Sequence, residues 1–332
     1  MAISRRGFQA QLMGGAATLM ALPLNSWAQA GKPLRILVGF PPGGGTDAIA
    51  RLLAEKLKDE LGVAVLVENK AGAGGQIAAQ ALKAAAPDGN TVFLSHDHSI
   101  SILPLVTKNP GYEPAQDFVA VAGFATFVNA FAVSASTPVK SFAEYVQWVQ
   151  GGADKGGKGK GAVGVPAPAS VPEFLVKLLG EKYQLDLVAA PYRGSAPLMA
   201  DMLGNQISAG VASVPDFIEN HRAGKLRVLA VLGAVRQAAL PEVPSFTELG
   251  LAGFEDVPYY GLFAAKGTAQ ASIDTIGAAL ARVLQHKPLH DALTAMGLAV
   301  DYMPQAQLAR RERAYTQAWA KIIQSKGFVQ PQ

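Results

Sequence analysis

Two glycine-rich turns are the residues best suited to chemistry in this chain. Pro-Pro-Gly-Gly-Gly-Thr-Asp at 41–47 and Ala-Gly-Ala-Gly-Gly at 71–75 each lie between an apolar run and an amphipathic run. If these runs are strands and helices of a parallel sheet, two helix N-termini meet at one edge, with free N–H groups and positive dipole ends. Neither turn supplies a nucleophile or a base. The pattern predicts a site that holds an anion such as a carboxylate without transforming it.

Motifs for nucleotide binding and covalent catalysis do not fit the chain. No lysine follows either glycine turn as a phosphate loop requires, and 72–75 lacks the third glycine of a dinucleotide fingerprint. Ser170, Ser195 and Ser213 lack the Gly-x-Ser-x-Gly signature of a nucleophile elbow. A catalytic triad assembled only in space stays open as an alternative.

A third polar group, His96-Asp97-His98, follows the third apolar run, at the same expected sheet edge. Two histidines two residues apart, with no third ligand nearby, make a poor zinc site. We therefore expect no metal and no cofactor, and a ligand contact from His96 or Asp97. A solvated loop is the alternative interpretation.

Strand and helix patterns alternate around these turns. Leu34–Val38 is typical of a buried parallel strand, and apolar residues recur at helical spacing from Ile49 to Leu61. Thr46 is placed to cap that helix. Further strands are predicted at 64–67 and 91–94, with a helix between them at 76–86. The order βαβαβ is typical of a doubly wound parallel sheet.

The same alternation restarts at 131–133, runs to 232, and is followed by a strand at 259–264 and by helices up to 325. A glycine- and lysine-rich run at 151–161 is predicted to be a surface loop. The fold class is therefore α/β, with two doubly wound domains facing a cleft that can hinge shut. The predicted boundaries are domain I at 31–127 and 256–332, and domain II at 128–255.

The first thirty residues are predicted to be a cleaved export signal. Arg5 and Arg6 form a twin arginine ahead of an apolar stretch at 12–24, and small residues precede a cut after Ala30. A membrane anchor is the alternative, although the stretch is short for a membrane span. No cysteine is present, so stability must come from the core. The implied location is the periplasm, with a soluble mature protein.

Composition excludes a nucleic-acid partner. The chain has 332 residues, half of them apolar and 16% charged, with a formal net charge of +4. That charge is too small and too evenly balanced for a nucleic-acid footprint. The length suits two domains rather than one.

Several motifs in combination are similar to those of a known family. They are Val-Gly-Phe-Pro-Pro-Gly-Gly-Gly-Thr-Asp at 38–47, Glu-Asn-Lys-Ala-Gly-Ala-Gly-Gly at 68–75, Ala-Pro-Asp-Gly at 86–89, Pro-Tyr-Arg-Gly-Ser at 191–195, and the segments 223–227 and 240–250. Across the mature chain they resemble the Bug (TctC) family, the periplasmic substrate-binding proteins of tripartite tricarboxylate transport systems. The resemblance implies a two-domain Venus-flytrap fold.

The resemblance also implies which residues contact the ligand. The glycine turns would hold a carboxylate, partly through ordered water, with Phe40, Pro42, Gly43, Gly44, Thr46, Asp47, Ala73, Gly74 and Gly75. The remaining candidates are His96, Asp97, Ala169, Ser170, Tyr192, Ala212 and Tyr260. Tyr192 either contacts the ligand or packs in the core, and Ser195 is placed to cap a helix.

The second domain departs from the family pattern. Phe174 stands near the slot where the family commonly has a histidine, and Val-Ala-Ser at 211–213 replaces Phe-Asp-Asn. Arg193 is the one candidate cation beside an otherwise apolar wall, where a second carboxylate would be costly. We therefore expect a monocarboxylate with an apolar or aromatic body rather than citrate.

The predicted function is capture of a small organic carboxylate by a monomeric periplasmic protein and its delivery to the membrane components of a tripartite tricarboxylate-type transporter. Two alternatives stay open. One is an α/β enzyme acting on a carboxylate with His96 or Asp97 as base. The other is a ligand-sensing partner of a signalling system that uses the same cleft.

Overall fold

The computed structural model describes residues 31–151, 161–252 and 256–326. The predicted signal at 1–30 and nearly all of the predicted loop at 151–161 lie outside them. The strands are β1 (Leu34–Val38), β2 (Val65–Asn69), β3 (Thr91–His96), β4 (Phe118–Thr126), β5 (Asn129–Ser134), β6 (Ala162–Val165), β7 (Val188–Pro191), β8 (Ala209–Ser213), β9 (Leu226–Val231), β10 (Tyr259–Ala265) and β11 (Ala299–Pro304). The helices are α1 (Gly45–Leu61), α2 (Gln76–Lys83), α3 (Leu103–Val106), α4 (Pro114–Asp117), α5 (Phe142–Gln150), α6 (Val171–Tyr183), α7 (Ser195–Leu203), α8 (Val214–Arg222), α9 (Gln270–Val283), α10 (Lys287–Ala295) and α11 (Gln305–Lys326).

The strands form two mixed sheets. The first has the order β11-β4-β10-β3-β1-β2, and β1 lies parallel to both β2 and β3. In that sheet β10 is antiparallel to β3 and β4. The second sheet has the order β7-β6-β8-β5-β9. In it β6 is parallel to β7 and β8, and β5 is antiparallel to β8 and β9. The α/β two-domain class is confirmed, although neither sheet is parallel throughout.

The chain passes between the two sheets at residues 127–128 and again before β10. At the first crossing the Phe127 amide donates to the Pro258 carbonyl at 3.2 Å, so the two crossings run side by side. Segment 118–126, just before the first crossing, is strand β4 of the first sheet. Residues 253–255 lie outside the described chain, and the domain boundaries stay a prediction.

Helix α1 begins two residues earlier than predicted. Its N-cap is Gly44, and Thr46 lies inside the first turn, so the prediction that Thr46 caps this helix is wrong. The helix ends at Gly62, whose φ of 65° is the left-handed conformation that glycine adopts without strain. Ser195 is likewise the first residue of α7 rather than its cap, which is Gly194.

Strands β4 and β11 are absent from the sequence-based prediction. β4 is nine residues long, with six buried and three half-buried residues in no regular alternation. β11 lies at the edge of the sheet and ends in Pro304, and its burial alternates only over its first four residues, before a register irregularity between Val300 and Met303. Neither segment therefore shows a regular strand pattern along its whole length.

The first sheet is buried on both faces. Ile36 and Val38 pack with Ile49 and Leu53 of α1 on one face, while Leu37 belongs to the cluster on the other. On that second face, Trp319 of α11 stacks on Phe174 of α6 with ring centroids 5.5 Å apart. The last helix therefore packs against the second domain as well as the first.

Two buried tyrosines differ in hydrogen bonding, and this predicts opposite effects of the same substitution. The Tyr145 hydroxyl has no partner within the described chain, whereas the Tyr259 hydroxyl lies 2.8 Å from the Ser101 hydroxyl. Tyr145→Phe should raise the free energy of unfolding by about 1 kcal/mol or more, because it removes an unpaired buried group. Tyr259→Phe should lower it by about 1 kcal/mol. Urea unfolding measures both, and equal destabilisation by the two changes would contradict this reading of Tyr145.

Candidate functional site

Three turns meet at the carboxyl edge of the first sheet. Val38, at the end of β1, is aligned with Asn69 of β2 and with Leu94 of β3. The turns 41–47, 71–75 and 96–98 follow these strands, and α1 and α2 begin in the first two. Adjacent helix N-termini therefore lie at one edge, as the glycine pattern predicts.

A cavity of about 50 Å³ lies between this edge and the second domain. The lining residues from the first domain and the crossing are Phe40, Thr46, His96, Asp97, His98, Phe127 and Tyr260. Those from the second domain are Asn129, Pro166, Ala167, Ser170, Val171, Pro172, Ser195, Ser213 and Asp216. One water needs roughly 10–15 Å³, so the cavity has room for only a few water-sized groups.

The first glycine turn is already bonded to protein carboxylates. The Gly43 amide donates to Asp47 Oδ2 at 3.0 Å, and the Gly45 amide donates to Asp216 Oδ1 at 2.9 Å. The expectation that these amides are free for a ligand is therefore not met by this structure. The bond to Asp216 crosses the cleft from the first domain to the second.

Asp216 is held in place for that bond. Its Oδ2 accepts hydrogen bonds from the Ser213 hydroxyl at 2.6 Å and from the Ser213 amide at 3.2 Å, in a capping box at the start of α8. Its Oδ1 faces the N-terminus of α1, where partial positive charge favours an anion. The Asp216 carboxylate thus accepts hydrogen bonds at the N-termini of two helices, α8 in its own domain and α1 across the cleft.

Asp47 supports the first turn from inside. Burial alone would raise the pKa of the Asp47 carboxyl, but hydrogen bonds from Arg51, Gly43 and Asn69 outweigh burial and hold the pKa below its usual value. The charged side chain therefore braces the turn. It is not among the residues that line the cavity.

The second glycine turn packs tightly against the end of β3. Gly74 and Gly75 have φ of 65° and 94°, and the Gly74 carbonyl accepts a hydrogen bond from the Ser99 hydroxyl at 2.7 Å. A Cβ on Gly74 would lie 2.5 Å from His98 Nε2. Only glycine allows this approach at this backbone conformation.

His98 is buried, which corrects the alternative of a solvated loop. It begins a π-helical turn after β3, and neither ring nitrogen has a hydrogen-bond partner in the described part of the chain. Burial, and then the neighbouring His96, lower the pKa of His98 to about 4. The ring is therefore neutral at ordinary pH, with one donor and one acceptor nitrogen.

His96 and Asp97 lie in the cavity wall with their own partners. The His96 ring stacks on Phe40 with centroids 5.1 Å apart, and its Nδ1 is 3.2 Å from Asp97 Oδ1. The other Asp97 oxygen accepts a hydrogen bond from the Tyr315 hydroxyl of α11 at 3.0 Å. Among the described residues, no group of three or more His, Cys, Asp and Glu is placed to hold a metal ion.

Thr46 and Tyr260 close the wall of the first domain. Their hydroxyls are 3.1 Å apart, and burial raises the pKa of Tyr260 well above its usual value. Phe127 packs on the Tyr260 ring at 4.8 Å between centroids. This side of the cavity is therefore mostly aromatic, with a few hydroxyl groups.

Not all the predicted site residues reach the cavity. Those that line it are Phe40, Thr46, His96, Asp97, Ser170 and Tyr260. Those outside its lining are Pro42, Gly43, Gly44, Asp47, Ala73, Gly74, Gly75, Ala169, Tyr192 and Ala212. The Tyr192 hydroxyl donates to Asp201 at 2.7 Å instead, and Ala212 lies in the core of the second domain. Arg193 is exposed and is not a lining residue.

Four residues that line the cavity were not among the predicted ligand contacts: Phe127, Asn129, His98 and Asp216. Phe127 and Asn129 flank the chain crossing, where no motif marks them. Asp216 follows Ser213 at the spacing of a capping box. This spacing predicts the start of a helix, but it does not indicate that Asp216 lies in a cleft. Among the lining residues there are two aspartates and no lysine or arginine.

The fold and cleft define a two-domain α/β binding protein, and comparison with known protein families assigns it to one of them. Residues 49–328 match the family described as "Tripartite tricarboxylate transporter family receptor". The chain therefore belongs to that family of periplasmic solute-binding proteins. It is 29% identical to protein BugT of Bordetella pertussis over 93% of each chain.

Solved structures agree with this assignment. The periplasmic binding protein BugD is 28% identical with a TM-score of 0.82, covering 90% of this chain and 99% of its own. R. palustris Rpa4515, solved with adipate, is 26% identical with a TM-score of 0.83, covering 91% of this chain and 98% of its own. The predicted resemblance to the Bug (TctC) family is confirmed.

The lowered pKa of His98 predicts a loss of stability in acid. The unfolded side chain takes up a proton near pH 6.5, whereas the folded one resists until about pH 4. The stability that its neutral, buried state contributes is present above pH 6.5 and is lost as the pH falls toward 4. We compare the free energy of unfolding, measured with urea, at pH 7 and at pH 4.5. The decrease between these two pH values should be about 2–3 kcal/mol smaller for His98→Leu than for the wild type. Parallel losses in the two proteins would contradict the assignment.

Proposed function

We propose that this protein captures a small organic carboxylate in the interdomain cleft and delivers it to the membrane components of a tripartite tricarboxylate-type transporter. The observation that carries the proposal is the cavity at the carboxyl edge of the first sheet, closed by residues of both domains. Ligands of open α/β sheets bind at this edge. Export by the predicted signal at 1–30 would place the protein in the periplasm. We propose that it acts there as a monomer.

The cavity wall favours a ligand with one acidic group. Phe40, Phe127, Pro166 and Pro172 present apolar surface, and no lining side chain is a lysine or arginine that could pair with a second carboxylate. An apolar ligand body gains about 25 cal/mol per Å² that it buries. We therefore propose a monocarboxylate with an apolar or aromatic body.

The size of the cavity implies that the domains move apart for such a ligand. An apolar cavity of roughly 150 Å³ can bind benzene, and the cavity found here has about one third of that volume. The narrow pair of crossings at Phe127 and Pro258 is suited to act as the hinge. Closure over the ligand would then exclude water and present one conformation to the transporter.

Covalent chemistry finds little support in the site. Asp97 contacts His96 and Tyr315, and no hydrogen bond in the described chain joins a serine of the cavity wall to a histidine that could activate it as a nucleophile. We propose that the ligand leaves the protein unchanged.

A thermal-shift panel tests the ligand class. Benzoate and 3-methylbutanoate should raise the melting temperature more than citrate, malate or aspartate do, because a bound ligand stabilises the folded state by mass action. Mass spectrometry of the recovered ligand is the control for catalysis, and its mass should be unchanged. Stabilisation by citrate alone would overturn the proposed ligand class, and a converted ligand would overturn the binding function.

The bond between Gly45 and Asp216 should bias the ligand-free protein toward the closed form. Asp216→Ala removes the contact across the cleft, so small-angle scattering should show a larger radius of gyration than for the wild type. Asp201→Ala is the matched control, because Asp201 bonds to Tyr192 within the second domain. Superimposable curves for the wild type and Asp216→Ala would show that this bond does not hold the domains together.

A further inference from the structure

One buried group in the cavity wall has unused hydrogen-bonding capacity. His98 is 4% exposed, lines the cavity, and has no partner in the described chain for either ring nitrogen. A buried polar group without a partner is costly and rare in folded proteins. Its presence at a ligand cleft therefore indicates a group held ready for a ligand.

Three other polar groups of the wall are already engaged. The Ser170 hydroxyl donates to the Ala167 carbonyl at 2.7 Å, the Ser213 hydroxyl donates to Asp216, and Asp97 accepts from Tyr315. His98 differs from these because its ring is both buried and unpaired.

The position of His98 fits an anionic group. The ring lies against Gly74, in the turn that opens α2, and a Cβ on Gly74 would also lie 3.6 Å from Ala167 of the second domain. The Gly45 amide of the other turn is bonded to Asp216. At the N-terminus of α1, the position for an anion is therefore already occupied by Asp216. At the second glycine turn, the unpaired His98 ring can donate a hydrogen bond to an incoming carboxylate.

We propose that His98 is a ligand-binding residue whose neutral ring N–H donates to the carboxylate of the ligand at the second glycine turn. This inference rests on the proposed function and adds which group recognises the acidic end. The charged and titratable groups that face His98 are His96 and Asp97. A hydrogen bond from a neutral donor to a carboxylate inside a desolvated cavity is among the stronger kinds.

Two substitutions separate recognition from packing. His98→Leu fills similar space but has neither donor nor acceptor, whereas His98→Gln keeps both without titrating. Calorimetry with benzoate, 3-methylbutanoate and citrate as probes should show affinity about 10- to 150-fold weaker in His98→Leu. His98→Gln should retain affinity within a few-fold of the wild type.

The ligand-free proteins provide the discriminating measurement. Ligand-free His98→Leu should melt at a higher temperature than the wild type at pH 7, because it removes an unpaired buried group. Unchanged affinity in His98→Leu, or a joint loss of affinity and ligand-free stability, would overturn this role for His98. A wild type that binds none of the three probes would instead contradict the proposed function, and this inference with it.

Discussion

The hydrogen bond from the Gly45 amide to the Asp216 carboxylate sets the geometry of the whole cleft. An α-helix leaves its first amides unpaired and carries partial positive charge at that end, so α1 attracts an anion. Here the anion belongs to the protein itself and comes from the second domain, oriented by Ser213. The space that remains in the cleft lies at the end of β3, among Phe40, Tyr260 and His98.

The wall of the first domain is held more firmly than the contact that closes it. His96 is stacked on Phe40, and Asp97 is anchored to Tyr315 of α11. These contacts are buried and lie within one domain. The contacts between the domains are partly polar, such as the bond from Gly45 to Asp216, and partly apolar, such as the stack of Trp319 on Phe174. In the hinge motion that we propose, the polar bond is the contact that water can replace.

Much of the local structure could be predicted from the sequence. β1 was predicted residue for residue, and most of the remaining helices and strands within a few residues, because apolar spacing decides them locally. β4 and β11 could not be predicted, since β4 shows no regular alternation of burial and β11 is an edge strand with an irregular register. For the site, Phe40, Thr46 and His96 line the cavity, whereas Tyr192 bonds to Asp201 and lies outside it. Which way a side chain turns depends on packing partners that sequence spacing does not reveal.

The sequence by itself determined the α/β class and the family. It also determined that three polar turns end at one sheet edge, because the alternation of strands and helices along the chain and the glycine positions are local features. Only the tertiary structure decided that the first turn is bonded to a carboxylate of the second domain. Asp216 lies 171 residues beyond Gly45, and it reaches that amide because the second sheet folds back over the first. Burial likewise decided that His98 is neutral and unpaired, since desolvation depends on everything packed around a side chain and not on its neighbours in the chain.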